Sequence, residues 1–155
     1  PQAPMVLGGG ATATAAVAAL GELGARRIAV AVRSRGRAGG LLRAATAMGL
    51  DIRFVTFEDA PALLAQADAV VSTVPVDAGA ALGESIGDVT GVLLDAVYNP
   101  LVTPLGSAWQ ARGGVHVGGE RMLLHQACEQ VRLMTSRNAP IQDMEDALSR
   151  ALSER

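Results

Sequence analysis

Six short apolar runs, with helical stretches between them, constrain this chain more than any other feature. They are "MVLG" (5–8), "RIAVAV" (27–32), "DIRFVTF" (51–57), "ADAVVST" (67–73), "GVLLDAV" (91–97) and a shorter sixth within "GVHVGG" (114–119). Between them the spacing predicts an Ala-rich helix from about Thr12 to Leu23. A second runs from about Arg37 to Met48 and stops at Gly49, and a short one lies near Ala60–Gln66. Runs this short suit strands, and their continuous apolar character suits strands covered on both faces. Strands alternating with helices imply a doubly wound parallel sheet with right-handed crossovers. Half of the residues are apolar and only 3% are aromatic, a composition that lets small-residue helices pack closely on such a sheet. With 155 residues the chain suffices for one domain that buries roughly 70% of its unfolded surface.

The pattern changes near residue 120. From Arg121 onward no strand signal remains. "RMLLHQACEQVRLMT" and "IQDMEDALSRAL" both carry apolar residues at three- and four-residue spacing, which predicts two amphipathic helices separated by Asn138-Ala139-Pro140. The chain therefore divides into an α/β part over 1–120 and a helical part over 121–155. It opens on Pro1 and reaches its first strand almost at once, as a piece of something longer would.

Charge and cysteine content narrow the function classes. Thirteen basic and fifteen acidic residues give a net charge of −2, so no global attraction to nucleic acid or to an anionic membrane is expected. No run of about 20 apolar residues and no signal peptide is visible, so a cytoplasmic protein is the expectation. The single Cys128 excludes an internal disulfide and a cysteine-cluster metal site.

The first strand leads into "VLGGGATATAAV". Gly8-x-Gly10-x-x-Ala13 matches G-x-G-x-x-G/A between a strand and a helix. Gly8 permits the tight turn, Gly10 lets the backbone approach a pyrophosphate, and Ala13 keeps the helix close to the sheet. Gly9, Ala11 and Thr12 complete the loop, and the helix N-terminus offers free N–H groups and the positive end of its dipole. A structural turn is the plain alternative, but the position at the start of an α/β pattern favours a nucleotide.

About 20 residues beyond such a loop an acidic residue often holds the ribose hydroxyl of NAD. Here "VRSRGR" (32–37) supplies arginines instead. Arg33 at the end of the second strand, with Ser34 and Arg37, suits a 2′-phosphate, so NADP is the expected cofactor. Arg35 alternates away from Arg33 and reads as part of a solvated loop.

Further on, "DAVYNPLVTPL" (95–105) follows the fifth strand as a stiff polar loop, and "GGERMLLHQAC" (118–128) opens a helix with two glycines. Met122 and Gln126 stand four apart on one face of that helix. Together with the phosphate loop and the arginines, these motifs resemble the C-terminal half of shikimate dehydrogenase, over nearly the whole chain. Members of that family carry an N-R-T-x-x-K/R motif, a D-x-x-Y-N-P-x-x-T-P-L loop and G-x-x-M-L-x-x-Q-A. The first appears here as Val32-Arg33-Ser34-Arg35-Gly36-Arg37, with Val32 in place of the Asn. The second is intact from Asp95 to Leu105. The third is kept at Gly119, Met122, Leu123, Gln126 and Ala127, and Ser72-Thr73-Val74-Pro75 is a looser form of the family's N-A-T-P segment.

The resemblance implies a Rossmann-like NADP-binding domain of an enzyme that reduces 3-dehydroshikimate to shikimate with NADPH. It implies that Ser72, Thr73 and Val74 lie beside the cofactor ribose and that Gly119 contacts the nicotinamide end, with Met122 among the cofactor-binding residues through its packing. By the same resemblance Tyr98 and Gln126 face the substrate. The family's catalytic Lys and Asp belong to another domain. This chain contains no lysine, so no catalytic residue is assigned here, and no metal site is either. The resemblance further implies final helices that pack back toward the absent domain, with apolar faces left exposed and a homodimer as one outcome. His116 reads as a strand-bound core or edge residue, and His125 adjoins Gln126 without an assigned role. Two alternatives stand: an NAD-dependent quinate/shikimate dehydrogenase, and a non-catalytic NADP-binding module.

Overall fold

The computed structural model describes residues 1–154; Arg155 and the side chain of Arg37 lie outside the described residues. The apolar runs form six strands: β1 (Pro4–Leu7), β2 (Arg27–Ala31), β3 (Asp51–Val55), β4 (Ala69–Ser72), β5 (Val92–Asp95) and β6 (Val115–Val117). They make one sheet in the order β3-β2-β1-β4-β5-β6, and every pairing is parallel. The order reverses between β1 and β4. Among the described residues seven α-helices accompany them: α1 (Ala11–Glu22), α2 (Gly39–Ala47), α3 (Ala60–Leu64), α4 (Val76–Ser85), α5 (Pro104–Ala111), α6 (Gly119–Thr135) and α7 (Ile141–Ser153).

Strand alternation builds two core layers. Val6, Ile28, Val30 and Val32 pack under α1 and α2 with Ala13, Val17, Leu20, Leu41 and Ala45. Their neighbours Met5, Leu7, Val70 and Leu93 point the other way, onto Leu64 of α3, Leu82 of α4, and Leu105 and Trp109 of α5. Trp109 is fully buried, and its indole N–H donates to the Gly91 carbonyl at 2.9 Å, which fastens α5 over the start of β5. At the entry to β1, the Gln2 and Ala3 N–H groups donate to the Asp68 carboxylate. Burial works to raise the pKa of that carboxyl, but these hydrogen bonds outweigh it and hold the group below its ordinary value.

Several expected boundaries shift. Residues Arg35–Ala38 wind as a 3-10 turn, so α2 starts at Gly39 rather than Arg37. β3 ends at Val55, which leaves Phe57 in the following loop. The sequence reading did not anticipate α4 or α5. α5 begins inside the stretch read as a stiff loop, because Thr103 caps it and Pro104 occupies its first turn.

Candidate functional site

At the carboxyl ends of β1, β2 and β4, on either side of the point where strand order reverses, the loops enclose a groove of ≈ 300 Å³. Open α/β sheets bind ligands at this place. The groove brings together Gly8, Gly9 and Gly10 from the first loop, Arg33 and Ser34 from the second, and Thr73 and Val74 from the third.

The glycine loop shows why these residues are there. Gly8 has φ +115, and a Cβ on it would collide with Thr73 Oγ1. Thr73 is held in place because both its N–H and its hydroxyl donate to the Leu7 carbonyl, at 2.8 and 2.9 Å. Gly9 lies against Val32 and Ala38. At Gly10, by contrast, a Cβ would meet nothing within 4 Å, so the backbone there faces open space. Gly10 also caps α1, with no side-chain cap and no acidic residue in the first turn. The first N–H groups of that helix, from Ala11, Thr12 and Ala13, therefore remain free of side-chain acceptors beside the groove. Ala13 is fully buried and brings α1 close to the sheet.

Arg33 and Ser34 stand exposed on the groove rim. Arg35 turns away and donates to the Phe54 carbonyl at 3.3 Å. Arg37, expected beside Arg33, has a side chain outside the described residues. Three further lining residues, Ala38, Phe57 and Ala78, belong to no motif in the sequence. Phe57 was hidden by being read as the end of the third strand.

Ser72 belongs beside the groove by sequence but not by orientation. Its side chain is 1% exposed, alternates away from Thr73, and its hydroxyl has no hydrogen-bond partner. The Asp95 loop is built around a buried polar knot. Thr103 Oγ1 donates to Asp95 Oδ2 at 2.6 Å and accepts from Gly106 N–H at 3.0 Å, while Val97 N–H donates to Asp95 Oδ1 at 3.2 Å. Gly119 starts α6 against this loop, where a Cβ would lie 2.6 Å from the Ala96 carbonyl oxygen.

The second group of candidates is dispersed. Tyr98 is exposed and lines an apolar groove of ≈ 460 Å³ with Leu101 and with Leu123, Leu124, Met144 and Leu148 of α6 and α7. Met122 is half-buried and Gln126 exposed on α6, and neither lines that groove or the groove at the glycine loop. His116 sits on the edge strand against α5, with its Nε2 buried, unpartnered and packed beside Gly106. His125 is exposed. No group of three or more His, Cys, Asp or Glu among the described residues is arranged to hold a metal ion. No described helix is long and apolar enough to cross a membrane.

Comparison with known proteins matches these motifs to one family. The family model for shikimate / quinate 5-dehydrogenase matches residues 2–78, and that for the shikimate 5′-dehydrogenase C-terminal domain matches residues 119–148. The shikimate dehydrogenase (NADP(+)) of Methanothermobacter thermautotrophicus is 32% identical over 156 residues, covering 96% of this chain and 55% of that protein. The crystal structure of Mycobacterium tuberculosis shikimate dehydrogenase superimposes with a TM-score of 0.88 at 38% identity, over 96% of this chain and 57% of that one. The Thermus thermophilus enzyme in complex with NADP(H) and shikimate gives 0.71 at 27% identity, over 96% of this chain and 54% of that one. The chain thus spans a little over half the length of the relatives it matches. Its sheet order, its glycine loop and both matched segments agree: the chain belongs to the shikimate dehydrogenase family.

Proposed function

We propose that this chain is the NADP-binding half of a shikimate dehydrogenase-type oxidoreductase that reduces 3-dehydroshikimate to shikimate. The observation that carries the reading is the convergence of Gly8–Gly10, the uncapped start of α1, Arg33 and Ser34 on one groove at the strand-order switch. The open backbone at Gly10 fits a pyrophosphate, and the exposed guanidinium of Arg33 fits the 2′-phosphate. NADPH, when bound, supplies the hydride. The chain's own residues bind and orient it: the loop holds the phosphates, Thr73 and Val74 border the ribose, and Gly119 and Met122 limit the nicotinamide end.

Tyr98 and Gln126 form part of the substrate wall in this reading. The acid and base come from the part of the relatives that this chain does not match, so the chain alone binds dinucleotide without turnover. Calorimetric titration with NADPH and NADH tests the cofactor assignment. NADPH should bind at least about tenfold more tightly, a difference of about 1.4 kcal/mol that Arg33→Ala removes. Equal affinity for both would overturn the 2′-phosphate role and leave the NAD-dependent quinate/shikimate reading standing.

A further inference from the structure

The net charge of −2 conceals a strong polarity. Seven of the thirteen basic residues lie between Arg26 and Arg53, against one acidic residue, Asp51; from 58 to 119 there are seven acidic residues and one basic, Arg112. The fold turns this bias in sequence into one in space. β2, α2 and β3 form one flank of the glycine-loop groove, and β4, α4 and β5 form the other. Arg33 accounts for one charge of the basic flank, on the groove rim. Arg35, Arg43 and Arg53 are exposed, and none of them lines the groove. All three nevertheless stand near it. The Arg43 guanidinium folds back over Gly39 and Gly40 at the start of α2. Arg35 reaches the Phe54 carbonyl at 3.3 Å, and Arg53 lines one depression with it on the outer side of β3. At a rise of about 3.3 Å per residue, Arg53 is about 7 Å from the carboxyl end of its strand. Among the described residues no carboxylate stands within ion-pair distance of Arg33, Arg35, Arg43 or Arg53. Asp51 pairs instead with Arg27, at 3.6 Å and at the far end of the strands. Glu58 and Asp59 offset part of the charge, although the Asp59 carboxylate is turned to Thr56 Oγ1 at 2.8 Å. Folding does not call for such a cluster, since like charges on a surface repel one another.

We propose that Arg35, Arg43 and Arg53 form an electrostatic approach surface for the dinucleotide and favour NADPH over NADH through the rate of association. The inference rests on the cofactor reading and extends it from contacts inside the groove to charges outside it. A patch of one sign beside a groove raises the local concentration of an oppositely charged ligand and speeds association by about tenfold or more at low salt. The effect grows with ligand charge, and a 2′-phosphate adds roughly 1.5–2 negative charges at pH 7. The acidic flank acts in the same sense, because it turns the phosphates away from itself and toward the arginines. Selectivity for the phosphorylated cofactor then has two parts. Arg33 holds the 2′-phosphate once it is bound and slows dissociation. The outer arginines draw the ligand in and speed association. Screening weakens the outer part as salt rises, whereas the Arg33 contact persists.

Stopped-flow kinetics on this chain test the proposal, with NADPH and NADH as ligands and their own fluorescence as the signal. The variant combines Arg43→Gln with Arg53→Gln; Arg35 is kept because it adjoins Arg33. A control combines Arg132→Gln with Arg137→Gln around the end of α6, which makes the same change in net charge away from the patch. All these sites are exposed, so the substitutions leave the core intact, which a thermal melt verifies. At about 10 mM ionic strength, where the Debye length is about 30 Å, the Arg43/Arg53 variant should associate with NADPH about threefold more slowly or worse. Association of NADH should slow less, and dissociation rates should stay within about twofold of the parent chain. At about 1 M salt the variant and the parent should converge. The control should match the parent throughout. An unchanged NADPH association rate, or a slowing that the control reproduces, would overturn the proposal. So would a loss of affinity carried by faster dissociation, which is the mark of a direct contact. Failure of the parent chain to bind either nucleotide would overturn the cofactor reading, and this inference with it.

Discussion

Gly8 and Gly10 stand two residues apart and serve different ends. Gly8 is demanded by the fold, through its positive φ and the Thr73 hydroxyl it touches; Gly10 has an extended backbone and open space around its Cα. Gly8→Ala should therefore cost about 1–3 kcal/mol of stability in a urea melt. Gly10→Ala should leave stability within about 0.5 kcal/mol yet weaken NADPH binding about tenfold or more, because the added methyl occupies the phosphate's approach. The motif separates the turn at Gly8 from the phosphate approach at Gly10, but it does not reveal the Thr73 hydroxyl that leaves no room for a Cβ at Gly8. Asp95 and Thr103 are similar: the motif presented them as polar loop residues, whereas each is 2% exposed and they bind one another. Thr103→Val strands a buried carboxylate oxygen and the Gly106 N–H. It should lower stability by about 1–3 kcal/mol in the same melt.

At the scale of elements, the strands were legible because buried parallel strands are written as continuous apolar runs. α4 and α5 were not. α4 is rich in Ala and Gly, and its Gly83 lies close against Ala108 of α5, so its buried face carries Leu82 between two glycines and no helical apolar period. α5 was masked by the motif that overlaps it, although Thr103-Pro104 is an N-cap followed by Pro in the first turn, the one local signal that marks it. The tail helices were legible from their periodicity, but not how little they bury. α7 has no buried residue and is attached through Met144 and Leu148, an Arg121–Glu145 ion pair at 2.5 Å and a Cys128–Met144 contact. Exposed pairs of this kind contribute at most about 1 kcal/mol. Hydrogen exchange should accordingly show residues 141–153 opening well before β1 and β4, whose amides exchange only with global unfolding. Protection of α7 equal to that of the central strands would contradict this account.

For the whole molecule, the doubly wound sheet was legible in the sequence, and so was the meeting of Gly8–Gly10, Arg33, Ser34, Thr73 and Val74 at one groove, because each of these segments follows a strand on the same edge. Tyr98 and Gln126, which the resemblance sets facing the substrate, are both exposed, and of the two Tyr98 alone lines a described groove. Their pairing comes from the family resemblance, and no periodicity or spacing in the sequence encodes it. The central claim is therefore the groove itself: a 2′-phosphorylated adenosine nucleotide held between the glycine loop and Arg33. The most direct measurement is an amide NMR titration of this chain with 2′,5′-ADP and, separately, with 5′-AMP. The account predicts that both ligands shift the Gly8–Ala13 amides, and that 2′,5′-ADP alone also shifts Arg33 and Ser34 and binds more tightly. Identical shifts and affinities for the two ligands, or shifts that avoid the Gly8–Ala13 loop, would contradict it.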